Sequence, residues 1–290
     1  FNIKEAMYWE PSCAGVQCTL CPFKCFLPEG QRGRCNVRVN SGGKLVTLVY
    51  AMPVSVHVDP IEKKPLYNFM PNTKAFSIGT FGCNFKCDFC QNYDISQFRE
   101  FYGDKILGEE ITPEKIVEEA IKTKCESIAY TYNEPAIFIE FVKDTAEIAK
   151  KKKLKNILVT NGYFTKESFD YISNYIDAMN IDLKSFSDEF YKKYCKARLQ
   201  PVLDTIKRVS KANIHLEITT LIIPGLNDSE QELERIAEFI SSLNRNIPWH
   251  ISRFFHHYKM MDKPVTPIKT LEKASEIGRK YLKYVYIGNV

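Results

Sequence analysis

The chain has 290 residues, 44% of them hydrophobic, and a net charge of +5. That length and composition support one large α/β domain or two modest ones with a real core, and they exclude a disordered polyelectrolyte. No run approaches the roughly 18–20 apolar residues of a membrane helix, the first residues lack a signal-peptide layout, and the charge is too mild to point to nucleic acid, so a cytoplasmic protein with no membrane partner is expected.

Residues 1–74 read as a small cysteine-rich, β-containing N-terminal unit. Five of the ten cysteines fall in the first 35 residues: Cys13, Cys18, Cys21, Cys25 and Cys35. VRVNSGGKLVTLVY then gives two β-like runs around Ser-Gly-Gly, a hairpin signal. Pro53, Pro60, Pro65 and Pro71 punctuate the polar stretch that follows. From residue 75 the pattern changes. Short β-branched and aromatic runs predict strands over 75–80, 127–132, 156–161, 176–183, 214–223, 249–254 and 284–288. Between them lie helical patterns over 112–124, from 135 to about 153, over 228–243 and over 267–282, the first opened by a Thr cap and a proline. Lys150–Lys153 end one of these patterns and read as a solvated helix terminus. Strand–helix alternation predicts a parallel sheet with helices outside, an α/β fold of the partial (β/α)6 barrel type over 75–290.

The first of these strands runs directly into CNFKCDFC, which places Cys83, Cys87 and Cys90 on the loop that follows. In β/α barrels the chemistry gathers on loops at the carboxyl ends of strands. Tight cysteine clusters without an export signal point to metal rather than disulfides. A structural zinc site takes four protein ligands. Three closely spaced thiolates instead fit a 4Fe-4S cube with one iron left open. A zinc site completed by a distant His or Cys is the alternative.

The Cys-x3-Cys-x2-Cys spacing resembles the signature of radical S-adenosylmethionine (SAM) enzymes. The stretches CTLCPFKC, GQRGRCNVR, DPIEKKPLYNF, YTYNEP, DLKSF and IPGLND are similar to the radical SAM proteins of the AmmeMemoRadiSam-system group, relatives of pyruvate formate-lyase activating enzymes. The resemblance implies a 4Fe-4S cluster on Cys83, Cys87 and Cys90, and S-adenosyl-L-methionine on the open iron. It implies reductive cleavage to methionine and a 5′-deoxyadenosyl radical that abstracts hydrogen. Glycyl-radical activation or modification of a partner protein would be the outcome, with a low-potential electron donor such as ferredoxin or flavodoxin.

Further candidates lie at successive strand ends. Tyr132, Asn133 and Glu134 end the second strand, and the resemblance implies that Asn133 and Glu134 meet the SAM ammonium; a plain helix cap is the alternative. Phe89 would lie near the adenine. Asn161 is read either as a cofactor contact or as a turn residue with Gly162. Asp182 and Lys184 straddle Leu183 and share a face by the strand period of two; the resemblance places the lysine near SAM, and an internal salt bridge is the alternative. Ile222 would line the adenine pocket, and Asn227-Asp228 read as a helix cap. His250 would approach the ribose by resemblance, or serve as a hydrogen-bonded core histidine, an ambiguity His215 shares.

Cys18-x2-Cys21-x3-Cys25-x9-Cys35 has four thiols suited to tetrahedral zinc, to a second iron–sulfur cluster that relays electrons, or to neither. Cys125 and Cys195 read as small core residues. Two other function classes stay open: a radical SAM enzyme that modifies RNA, whose binding would be salt-sensitive, and a non-enzymatic zinc or iron–sulfur module. Glu134, Asp182 and Lys184 weigh against the module, because a purely structural cluster does not require polar strand ends.

Overall fold

The computed structural model describes residues 3–290. Six short strands open the chain: β1 (Lys4–Glu5), β2 (Trp9–Ser12), β3 (Gly15–Cys18), β4 (Phe26–Leu27), β5 (Arg38–Ser41) and β6 (Lys44–Thr47). They form two three-stranded antiparallel sheets, ordered β1-β6-β5 and β2-β3-β4. The expected hairpin is β5–β6, with Ser41 opposite Lys44. Its two turn residues, Gly42 and Gly43, have φ of 62° and 73°, a left-handed pair that glycine adopts without strain.

The remaining strands form one eight-stranded sheet in chain order: β7 (Ser55–Pro60), β8 (Lys74–Gly79), β9 (Ser127–Tyr130), β10 (Lys155–Thr160), β11 (Ala178–Asp182), β12 (His215–Ile222), β13 (Trp249–Arg253) and β14 (Val285–Gly288). Strands β8 to β14 run parallel, and β7 pairs antiparallel with β8. The outer strands β7 and β14 do not pair with each other, so the barrel is open. The sheet therefore begins within the stretch read as the N-terminal unit. β7 shows no alternation of buried and exposed residues, buries only Asp59 and ends in Pro60, which hid it in the sequence.

Helices follow the strands: α1 (Tyr93–Ser96), α2 (Arg99–Tyr102), α3 (Pro113–Lys122), α4 (Ile139–Lys151), α5 (Lys166–Ser173), α6 (Asp188–Phe190), α7 (Gln200–Val209), α8 (Glu230–Leu243) and α9 (Ile268–Tyr281). Thr112 caps α3 by accepting the Lys115 amide, with Pro113 at the first turn. Ser229, not Asp228, caps α8; Asp228 instead accepts the Gly225 amide in the preceding turn. Asn227 accepts the Ile223 amide and donates to the carbonyls of Lys184 and Leu221, tying two strand ends together rather than capping. No helix among the described residues is long and apolar enough to cross a membrane.

The segment after β7 closes the barrel floor. Ile61 and Leu66 pack against the small residues Ala75, Ala129 and Ala178 and against Ile157. Above them sits Glu217 on β12, fully buried. It accepts the amides of Tyr67 (3.1 Å) and Asn68 (2.8 Å) and the Nε2 donors of His215 (2.9 Å) and His250 (2.6 Å). Burial alone would raise its pKa; the two imidazoles and the Asn68 amide outweigh that and hold it at about 2.

Candidate active site

The three-cysteine loop leaves the carboxyl end of β8 through Gly82, whose φ is +94°. A Cβ there would stand 2.6 Å from the Cys35 carbonyl oxygen and 2.7 Å from a Val37 methyl, so only glycine lets the loop lie against the N-terminal unit. The loop is then pinned from several directions. Asn133 at the end of β9 donates to the carbonyl of Gly82 (2.7 Å) and accepts the amide of Thr80 (3.2 Å). A single π-helical turn, Tyr191–Cys195, receives the amides of Lys86 (3.1 Å, on the Cys195 carbonyl) and Asp88 (2.9 Å, on the Tyr194 carbonyl). Arg34 donates to the Asn84 carbonyl, and Gln97 to that of Phe85. Asn92 donates to the carbonyl of Tyr132, itself held at φ +69°, an unusual conformation for a bulky residue.

Cys87 is buried, and Cys83 and Cys90 are half-buried. The sulfurs of Cys83 and Cys90 each accept the amide two residues on, from Phe85 and Asn92. Burial nonetheless pushes the thiols up, Cys90 to about 11 and Cys83 well above its ordinary value. Cys87 is raised first by a hydrogen bond with the Cys195 thiol and then by burial. Such thiols stay protonated until a metal displaces the protons. Among the described residues no three His, Cys, Asp or Glu side chains converge tightly enough to hold a single metal ion. A 4Fe-4S cube presents its irons at separate corners and takes thiolates set further apart, so the donor set fits a three-cysteine cluster with one free iron.

Several candidate residues do gather at this loop. The Asn161 amide nitrogen stands 3.9 Å from the Cys83 sulfur and 2.8 Å from the Asn84 carbonyl oxygen of the side chain. Lys184, largely buried, pairs with Asp182 at 2.8 Å and lies 5.6 Å from the Phe89 ring centroid. Burial disfavours the Lys184 ammonium, but Asp182 and the nearby thiols outweigh it and raise its pKa. Phe89 packs beside Phe190. Glu134 is buried and fully engaged: its carboxylate accepts the Thr160 hydroxyl (2.6 Å), the Asn161 amide (2.7 Å) and the Ala136 amide (3.0 Å). It thus both caps the turn after β9 and braces Asn161. Burial pushes its pKa up to about 7, and three neutral donors only partly oppose this.

Other candidates lie apart. His250 is taken up by Glu217, the hydrogen-bonded core arrangement. Ile222 is buried, its carbonyl accepting the Thr266 hydroxyl. The Tyr132 hydroxyl turns inward to Asp59 at 2.6 Å. Cys195, read as a core residue, is buried but also backs Cys87 directly. Asn84, inside the motif, was passed over although its side chain links Cys83 to Asn161.

A parallel β/α barrel carrying three thiols, one short of a closed metal site, on the loop after its first parallel strand defines an iron–sulfur protein with a coordination position for a second cofactor. The chain belongs to the radical SAM superfamily, whose family model matches residues 77–240, more than half of its length. Members of that superfamily bind a 4Fe-4S cluster and SAM. The chain is 46% identical over 291 residues to an uncharacterized protein of Methanocaldococcus jannaschii, covering 99% of this chain and 86% of that protein. It is 29% identical over 210 residues to a second protein of the same organism, provisionally named a glycyl-radical enzyme activating enzyme, covering 71% and 77%. A domain of a Bacteroides vulgatus pyruvate-formate lyase-activating enzyme shares the fold, with a TM-score of 0.51 at 22% identity over 56% of this chain and 99% of that one.

Proposed function

We propose that the chain cleaves SAM reductively at the Cys83–Cys90 loop and directs the resulting radical at a partner protein, as a glycyl-radical activating enzyme does. The observation that carries this is the pinned three-thiol loop with Lys184, Asp182 and Asn161 gathered beside it at neighbouring strand ends. The relative named for glycyl-radical enzyme activation supports a protein substrate. The stretches CTLCPFKC, DPIEKKPLYNF and DLKSF favour the AmmeMemoRadiSam-system group within the superfamily.

In this reading Cys83, Cys87 and Cys90 hold the cluster. When bound, the cluster supplies one electron to the SAM sulfonium, which yields methionine and a 5′-deoxyadenosyl radical competent to take a hydrogen atom. Lys184 meets the SAM carboxylate, and Asp182 holds the lysine in place or accepts from a ribose hydroxyl. Asn133 and Asn161 fix the loop and the amino-acid end of SAM, with Glu134 as brace and nearby negative charge for the ammonium. Phe89 gives the adenine an apolar face. His250, bound to Glu217, is assigned to the barrel floor rather than to the ribose. A ferredoxin- or flavodoxin-type donor in the cytoplasm supplies the electron.

The substrate class is testable with fractionated extract from the source organism. Reduced, cluster-loaded protein and SAM are mixed separately with the macromolecular and small-molecule fractions, and 5′-deoxyadenosine is measured. Stimulation confined to protease-sensitive macromolecules is expected. Stimulation by the small-molecule fraction alone would overturn the protein-substrate reading.

A further inference from the structure

Of the six cysteines outside the site described so far, four cluster in the N-terminal unit. Cys18 ends β3, Cys21 and Cys25 follow on the turn to β4, and Cys35 precedes β5. All four line one small cavity, together with Arg34, Arg38 and Asn84. None is in a disulfide.

Three features mark this cavity as built for a guest. First, the sulfurs of Cys18, Cys21 and Cys35 each accept the amide two residues on, from Leu20, Phe23 and Val37. Cys83 and Cys90 use the same arrangement in the catalytic loop. An amide aimed at sulfur favours the thiolate, the form that binds metal. Second, Cys18, Cys21 and Cys35 are buried side by side in the wall of one cavity, with Cys25 half-buried beside them. Third, two buried donors on cavity-lining side chains have no acceptor: Arg38 Nε and Asn84 Nδ2. The rest of Arg38 is satisfied by Glu140 at 2.9 Å and by the Met7 carbonyl. An unpaired buried donor is costly, whereas thiolate sulfur on a metal would accept from both. A centre with four thiolates is also anionic, and the cavity-lining Arg34, which has no carboxylate partner among the described residues, supplies compensating charge.

We propose that Cys18, Cys21, Cys25 and Cys35 bind a second metal centre through four thiolates, seated directly behind the catalytic loop. The centre itself stands independently of the SAM chemistry; its relation to the catalytic cysteines rests on the reading of Cys83–Cys90 given above. Contacts between the two sites are short. Asn84 lines this cavity, receives the Arg34 side chain on its carbonyl, and sits beside Cys83 and Asn161. The Cys35 carbonyl is what excludes a side chain at Gly82. Among the described residues no three His, Cys, Asp or Glu side chains converge on one point, so an iron–sulfur cluster, whose irons take thiolates set apart, fits these four as they stand, and a zinc ion fits once the thiols close around it. Zinc would brace the catalytic loop from behind. A cluster would also carry single electrons: one enters from a reduced ferredoxin- or flavodoxin-type donor and one leaves to the catalytic cluster, with no atom transferred.

The test uses the full chain with the catalytic set removed, Cys83→Ala/Cys87→Ala/Cys90→Ala. It is prepared anaerobically, once with zinc and once with iron and sulfide, and metal content is measured together with Mössbauer spectra. One centre per chain is expected, and adding Cys18→Ala and Cys21→Ala should abolish it. Iron with sulfide assigns the electron carrier, and zinc alone assigns the brace; both support the site. Metal content no higher than in the fivefold variant would overturn it. Cys25→Ser guards against unfolding, because Cys25 is half-buried. It should keep the circular dichroism of the parent while losing at least about tenfold in metal affinity against a chelator; unchanged affinity would count against the site. Failure of SAM cleavage in a wild-type protein that still fills this centre would overturn the proposed function and leave the second centre standing.

Discussion

Two of the carboxylates buried in this fold are driven in opposite directions by their surroundings. Glu134, at the carboxyl ends of the strands, is surrounded by neutral donors and is pushed up to about 7. Glu217, above the floor, is gripped by two imidazoles and two amides and is held at about 2. Hydrogen bonds from neutral groups do not offset the loss of water around a charge, whereas two histidines do. The consequence is a division of labour. The floor is a closed network that fixes β12, β13 and the plug segment. The rim keeps a carboxylate poised near neutrality, open to the charge of whatever binds beside it.

The largest effect should come from breaking the floor. Glu217→Ala leaves His215, His250 and two buried amides without their acceptor, a loss of roughly 3–5 kcal/mol. Thermal unfolding should move down on the order of 10 °C, and a shift within error would show that the network is dispensable.

The pH dependence of stability sharpens the contrast. A raised carboxyl contributes stability that is full below its unfolded value near 4.5 and is lost as pH rises through about 7. A depressed one contributes stability that is present above about 4.5 and is lost as pH falls toward 2. Each displacement is worth roughly 3 kcal/mol. Denaturant titrations across pH should therefore show Glu134→Gln flattening the limb between about 4.5 and 7, and Glu217→Gln flattening the limb below it. Parallel curves for wild type and both variants would remove the assigned asymmetry.

Smaller effects are expected at the rim. Lys184→Ala should weaken SAM binding by about 10- to 100-fold, the scale of a charged hydrogen bond. It should cost about 1 kcal/mol or less of stability, because its partner Asp182 remains partly solvated. Calorimetry of SAM binding alongside chemical unfolding separates the two. An equal loss in both would make the pair structural only.

The same contrast explains what the sequence made legible. The strand rhythm was readable because the parallel strands are short, largely apolar runs separated by longer helical patterns. Cys83, Cys87 and Cys90 were readable because they are local, eight residues from first to last. The hairpin announced itself through Gly42-Gly43. Contacts between distant residues left no such mark. Cys195 meets Cys87 from another strand's loop, and a lone cysteine has no spacing to interpret. Glu217 did carry a signal that went unused: a carboxylate amid the apolar run IHLEITTLII, two residues from His215 and so on the same face. Helices α5 and α7 escaped notice for different reasons. The first is only eight residues long, and the second starts at Gln200 without a side-chain cap.

The central claim concerns the rim, and one experiment reaches it directly. Wild-type protein and Cys87→Ala are loaded anaerobically with iron and sulfide, reduced and given SAM, and 5′-deoxyadenosine and methionine are measured by mass spectrometry. The account predicts both products in wild type and none above background in Cys87→Ala, with the variant still folded. Full SAM cleavage by Cys87→Ala, or no SAM binding by cluster-loaded wild type, would contradict it.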